Sequence, residues 1–351
     1  MGRNPALTVR PFDPTADEYA AVVAVHNAAW PDERVALVQD WQENDREWPD
    51  SALFQRVVAT EEESGPGSGP GSGPDSGPGQ GTGRVVGVGA CFERYWQHQP
   101  GTVHLDIQAH PDRPDAYPLL YHHLLSLLYN HSPRPQVLAT ATRADRLDRV
   151  AFLEAQGFHI AMRSPRSALA VADHDPSPFH GLEARLAEQG IRLHTLHHVM
   201  ARAQDWKERL RDLRWALLQD VPEVEPPVRP TLAEFQRMIL DDPALDPAAW
   251  FLAVDTTAVP DGEMGQLVGM SNLWINDPAR QRLDTGLTGV LRPYRRRGVA
   301  TALKLRTIAF AQQIGAHTID THNEENNPMF ALNLSLGFRP KPAWLSYGKV
   351  W

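Results

Sequence analysis

Two spacings of apolar residues alternate along the chain, and they set out its elements. Strict alternation, or a short apolar run bounded by turn residues, predicts a strand; apolar positions three and four apart predict a helix. In the first half these rules give a strand in "ALTVRPFD", a helix in "DEYAAVVAVHNAAWP" and a second helix around "VALVQDWQEND". Strands follow at 54–60, 84–95 and 102–109, then helix "YPLLYHHLLSLLYN", strand "QVLATATR", helix "DRVAFLEAQG" and a strand from Phe158. The second half opens with strand "IRLHTLHHV" and helices "DWKERLRDLRWALLQD" and "TLAEFQRMILDD". Strands "WFLAVDTT", "QLVGMSNLWI" and "RLDTGLTGV" then lead to helix "GVATALKLRTIAFAQQIG", strand "HTIDTH", helix "PMFALNLSLG" and a strand from Phe338. Both halves read β-α-α-β-β-β-α-β-α-β, and each places Gly-Phe after its last helix, at Gly157-Phe158 and Gly337-Phe338. The pattern is that of an internal duplication.

Two stretches break the periodicity. "ESGPGSGPGSGPDSGPGQGTG", residues 63–83, holds nothing that could bury apolar surface and reads as a flexible Gly/Ser/Pro insertion between two strands that pair across it. The segment around Pro176 and Pro178 reads as the hinge between the copies. The expected organisation is a domain over 1–173, a linker over 174–190 and a domain over 191–351.

Composition narrows the class. A chain of 351 residues is long enough for two cores, and 42% hydrophobic content suffices to fill them. A formal charge of −9 argues against a general nucleic-acid binder. The single cysteine, Cys91, lies in apolar "VVGVGACF", reads as an inert buried thiol and permits no disulfide framework. With no apolar signal segment and no run of membrane-spanning length, the expectation is a soluble cytoplasmic protein without a membrane partner.

Against this acidic background "YRRRGVATALKLR" stands out: three arginines, Gly298, then a helix. Backbone amides at a helix N-terminus, the positive end of its dipole and nearby guanidinium groups describe an anion site, phosphate above all. It is not a nucleotide P-loop, which needs Gly-Lys-Ser/Thr where this chain has Gly298-Val299-Ala300-Thr301, nor a dinucleotide fingerprint, which needs further glycines. The histidines of "LHTLHHV" and "YHHLL" lack clustered carboxylates, so no metal is expected.

Arg295, Gly298 and Ala300 fit the Arg/Gln-x-x-Gly-x-Gly/Ala loop of the GCN5-related N-acetyltransferases, the GNAT superfamily. Strand "GLTGV" before the loop and "NNPMFALNLSLGF" after it stand where that family places them. The chain thus resembles two tandem GNAT folds of α/β class, similar in arrangement to mycothiol synthase and the Eis-type acetyltransferases. The resemblance implies a mixed sheet that splays beside its fourth strand and acetyl-CoA as co-substrate. It implies further that Thr288, Gly289 and Val290 pair with the pantetheine arm, and that Arg295 and the amides of Arg296, Arg297, Gly298, Val299, Ala300 and Thr301 form the pyrophosphate loop. Asn326 matches an asparagine that contacts the cofactor, and it also suits a helix N-cap.

Acetyl transfer to an amine needs a base, a polarised thioester and some relief for the leaving thiolate. Asp284, fourteen residues before Gly298, resembles the family's general base; His322, Glu324 and the terminal carboxylate of Trp351 are alternatives. Asn333 stands where most members carry the tyrosine that serves as thiolate acid. An amide can donate a hydrogen bond but cannot titrate, which leaves Tyr294, Tyr347 and water as other candidates. In the first half Asp115, Ala116 and Pro118 replace Arg297, Gly298 and Ala300, and Leu153 replaces Asn333. A carboxylate and a missing amide are wrong for a diphosphate, so this copy is expected to be degenerate. The expected activity is N-acetyl transfer to a small-molecule amine by a monomer or homodimer. Trp274, Glu324 and Glu325 hint at a cationic amine; a CoA-binding sensor without turnover is the alternative.

Overall fold

The computed structural model describes residues 5–33, 35–62, 83–94, 100–221, 228–260, 263–275, 281–323 and 326–351. The Gly/Ser/Pro insertion at 63–82, Glu324 and Glu325 lie outside them. The chain forms two compact units: Met1–Thr142 with Leu147–Ile160 and Ser346–Trp351, and Ala161–Leu345 with Arg143–Arg146.

In the first unit β1 (Leu7–Pro11), β2 (Phe54–Glu61), β3 (Arg84–Phe92) and β4 (Thr102–Ala109) form an antiparallel run, and β5 (Val137–Arg143) joins β4 in parallel. The 63–82 stretch therefore does join two paired strands. Helix α1 (Ala16–Ala29) starts where the Thr15 hydroxyl accepts from the Glu18 amide at 3.3 Å, and its Val22 and Val25 pack on Val58 and Val88. Helices α2 (Val38–Glu47), α3 (Ala116–Tyr129) and α4 (Leu147–Ala155) complete the expected order.

The last strand of the first half, β6 (His159–Ala170), belongs mainly to the second unit. The stretch expected as a linker is structured: two 3-10 turns lead into α5 (Leu182–Glu188), whose Leu182 reaches Gly298 and whose Glu183 pairs with Arg306. The strand expected over "IRLHTLHHV" stops early. After β7 (Ile191–Thr195) the Thr195 hydroxyl caps the His198 amide at 3.2 Å and α6 (Leu196–Arg202) begins, burying Leu196 and Val199. Then come α7 (Trp206–Leu218) and α8 (Leu232–Phe235), which runs on as a π-helical turn, Gln236–Leu240. Next are β8 (Trp250–Asp255), β9 (Gln266–Trp274), β10 (Arg282–Val290), α9 (Val299–Gln313), β11 (Thr318–His322), α10 (Pro328–Ser335) and β12 (Arg339–Val350). Strands β7 to β10 are antiparallel, β11 runs parallel to β10, and β6 closes antiparallel on β11.

The expected boundaries at 173 and 191 therefore need correcting. β6 pairs with β11 of the second half, Ala170 opposite Thr318 through Arg166 opposite His322. The C-terminal residues Ser346–Trp351 in turn belong to the first unit, where β12 neighbours β5 and the Trp351 amide donates to the Gln136 carbonyl at 2.9 Å. The two copies exchange final strands. A duplicated fold makes this inexpensive, because each copy's last strand offers the same unpaired main-chain edge to either partner.

Candidate functional site

Strands β10 and β11 pair only where Arg282, Leu283 and Asp284 face Thr318, Ile319 and Asp320. Beyond Asp284 they part, leaving a gap in the sheet of the second unit where the sequence placed a splay. The β9–β10 ladder also shifts register between Thr285 and Thr288. Gly286 sits in that bulge because a Cβ there would lie 2.3 Å from Asn272 Nδ2, while Asn272 Oδ1 accepts from the Leu287 amide at 2.9 Å. Helices cover both faces of the gap. Gly269 faces Leu303 of α9 and Gly289 faces Leu217 of α7; these glycines take alternate positions in the paired strands, so the two helices lie on opposite faces.

The loop entering α9 is left-handed twice, at Arg296 (φ 65°) and at Gly298 (φ 90°). A side chain at Gly298 would be strained, and its Cβ would meet Leu182 Cδ1 at 2.7 Å. Among the described residues, the amides of residues 296–301 donate to no protein acceptor. Such a run of orphan amides around left-handed turns is an anion cradle. Those of Arg296 and of residues 298–301 border a groove of about 350 Å³ whose wall also includes Thr288, Gly289, Val290 and Arg295. Arg297 does not line it; its guanidinium donates to the Pro293 carbonyl at 3.2 Å and stacks over Tyr294. Arg295 braces the loop, donating to the Val290 carbonyl at 2.9 Å and to Asp220. That leaves the Val290 carbonyl already engaged.

Thr288, Asn327 and Met329 also border a second cavity, of about 520 Å³, which lies in the gap. Asp284, His322, Trp274 and Asn333 share its wall, which brings together the sequence-named base, one of its alternatives and the asparagine. Loss of solvent lowers the His322 pKa, with Asp284 opposing and Arg166 acting the same way. Asn333 is buried; its Nδ2 donates to Asn323 Oδ1 at 2.8 Å and its own Oδ1 meets no donor.

Other candidates fall elsewhere. Asn326 lines neither cavity; its neighbour Asn327 does, and caps α10 by accepting from the Met329 amide at 2.9 Å. The Tyr294 hydroxyl donates to Asp255 at 2.6 Å, which raises its pKa. Tyr347 and Trp351 belong to the first unit, Trp351 resting on Tyr129, and neither lines the cavity in the gap. In the first unit Ala116, which replaces the left-handed Gly298, has no positive φ and is buried, and Asp115 beside it is clamped by Arg113 at 3.0 Å.

Sequence reasoning missed Arg214 and Lys304, which line the cavity from α7 and α9. The signal for Lys304 was present: it sits four residues before Ile308 and seven before Ala311, on the apolar stripe of its helix. Among the described residues no group of three or more His, Cys, Asp or Glu could hold a metal, and no helix is long and apolar enough to cross a membrane.

Residues 208–338 match the profile of the acetyltransferase (GNAT) family. Among solved structures the chain is similar to a tandem GNAT protein from the clavulanic acid biosynthesis pathway (TM-score 0.68, 19% identity, 98% of this chain and 98% of that one). It is also similar to a GCN5-related N-acetyltransferase from Sphaerobacter thermophilus (TM-score 0.63, 16% identity, 98% of this chain and 95% of that one). No curated protein matches the sequence.

Proposed function

We propose a function for a chain that carries a GNAT domain within a tandem GNAT fold: transfer of an acetyl group from acetyl-CoA to the amine of a small acceptor. One observation carries the reading. The orphan amides of Arg296 and of residues 298–301 border a groove that meets, at Thr288, a cavity lined by Asp284. When bound, acetyl-CoA supplies an activated thioester carbonyl.

The loop amides hold the diphosphate, and the edge of β10 beside the gap offers main chain to the pantetheine arm. Asp284 takes the proton of the attacking amine, directly or through His322, which lines the same cavity. Arg214 and Lys304 in the same wall disfavour an ammonium ion and so favour the nucleophilic free amine. Asn333 spends one of its two amide donors on Asn323 and can offer the other to the thiolate, but an amide gives up no proton. An amide in place of a titratable acid favours the second reading, a CoA-binding sensor without turnover.

Calorimetry with acetyl-CoA, followed by free-thiol release across an amine panel, tests both. Transfer requires binding and amine-dependent thiol release. Binding without release would establish the sensor, and no binding would end both readings.

A further inference from the structure

Two cations line the cavity in the sheet gap, and among the described residues neither has a counter-ion. Arg214 Nη1 is buried with no hydrogen-bond partner, and the guanidinium lies 5.7 Å from the centre of the Trp250 ring. Lys304 is 1% exposed; its ammonium makes no hydrogen bond or ion pair among the described residues and lies 5.0 Å over Phe338. Burial lowers the Arg214 pKa to about 10 and the Lys304 pKa to about 7, and in both cases it is the only cause. Asp284 is the single carboxylate in the described wall, and it acts on His322. Asp320, on the neighbouring strand, is already neutralised by Arg282 and Lys341 at 2.6 and 3.1 Å.

Desolvated cations are costly unless something compensates them. These two come from helices on opposite faces of the sheet and meet one cavity only because the strands part there. The excess positive charge sits inside the cavity and away from the diphosphate groove, whose wall includes neither residue.

We infer that Arg214 and Lys304 form a subsite for a carboxylate carried by one of the two substrates. The inference rests on the acyl-transfer reading for its substrates, but its test uses binding alone. Guanidinium and ammonium groups that face one cavity are the natural partners of a carboxylate, and Arg214 Nη1 has a donor to give. The carboxylate has two sources: the acceptor, which would then be an amino-acid-like amine, or the far end of a dicarboxylic acyl group on the donor.

Calorimetry on the full chain separates them. One arm titrates matched pairs with and without the carboxylate: leucine against 3-methylbutylamine, phenylalanine against phenethylamine, lysine against cadaverine. The other compares malonyl- and succinyl-CoA with acetyl- and butyryl-CoA. The carboxylated members of one arm should bind at least tenfold more tightly, and Arg214→Met or Lys304→Met should erase that preference while affinity for CoA itself stays unchanged. Lys304→Met should also melt at a higher temperature when free, because a buried cation with no partner among the described residues has gone. Absence of a carboxylate preference in both arms overturns the proposal, as does a preference that survives both substitutions. Loss of CoA binding by the wild-type chain would instead end the acyl-transfer reading and leave the amine arm to decide the subsite.

Discussion

At the scale of single residues the cavity wall separates the groups that do chemistry from those that tune it. Asp284 is the carboxylate in that wall, so Asp284→Asn should lower turnover by roughly a hundredfold while acetyl-CoA affinity holds. A rate near wild type, measured with a working acceptor at neutral pH, would move the proton to His322. Lys304 makes a different kind of prediction. Its unfolded form keeps a proton up to 10.5, whereas burial releases that proton near about 7. Between those values the unfolded chain binds more protons, so raising the pH favours the fold; the penalty is full below the lower value and gone above the higher one. The free protein should therefore gain stability from pH 7 to pH 9, and Lys304→Met should flatten that gain in denaturant titrations. Parallel curves for the two proteins would show that the lysine is not desolvated. Alternation and spacing revealed Asp284 as a polar residue on a strand, but a lone arginine among the many charges of "KERLRDLRW" carries no mark that Arg214 faces a gap. Only the divergence of two distant strands gives it that role.

At the scale of elements, the loop into α9 depends on a left-handed glycine and on what packs beneath it. Gly298→Asp should abolish acetyl-CoA binding, because it strains a residue at φ 90°, pushes toward Leu182 and sets a negative charge among amides meant for an anion. Undiminished affinity in calorimetry, with circular dichroism unchanged, would remove the diphosphate assignment. The element order was legible because each strand and helix carries its own apolar period, and the loop because glycine and helix start fall together in "RRRGVATAL". The support under the loop was not. Helix α5 lies in a stretch whose prolines read as a hinge, and its buried Leu186 gains meaning only beneath a neighbour distant in sequence. Likewise "LHTLHHV" alternates well enough for a strand, but Thr195 can cap a helix, and the burial of Leu196 and Val199 decides in favour of the helix.

At the scale of the whole chain, the repeated element order builds two units whose final strands are exchanged. The first unit has no left-handed residue at Ala116, an ion pair from Asp115 to Arg113 and a proline inside the first turn of α3, where the second offers orphan amides. Losing a charge-assisted hydrogen bond costs about 1.5–3 kcal/mol, before any repulsion from the carboxylate. Titration should therefore count one acetyl-CoA per chain, and two would contradict a degenerate first copy. The exchange of strands makes the last prediction. Pattern alone divides the chain near 173–191, because the duplication repeats there and nothing local reveals which sheet a strand joins. A fragment of residues 1–173 would lack Ser346–Trp351 beside β5 and would carry β6 without β11; a fragment of 191–351 would miss β6 altogether. Each would expose a sheet edge that normally has a partner, and such edges drive association. Expressed separately, the fragments should aggregate or melt well below the intact chain, and co-expression should recover a soluble pair with acetyl-CoA binding. If either fragment alone were monomeric and as stable as the whole by thermal melting, the exchanged strands would not be part of the folded core.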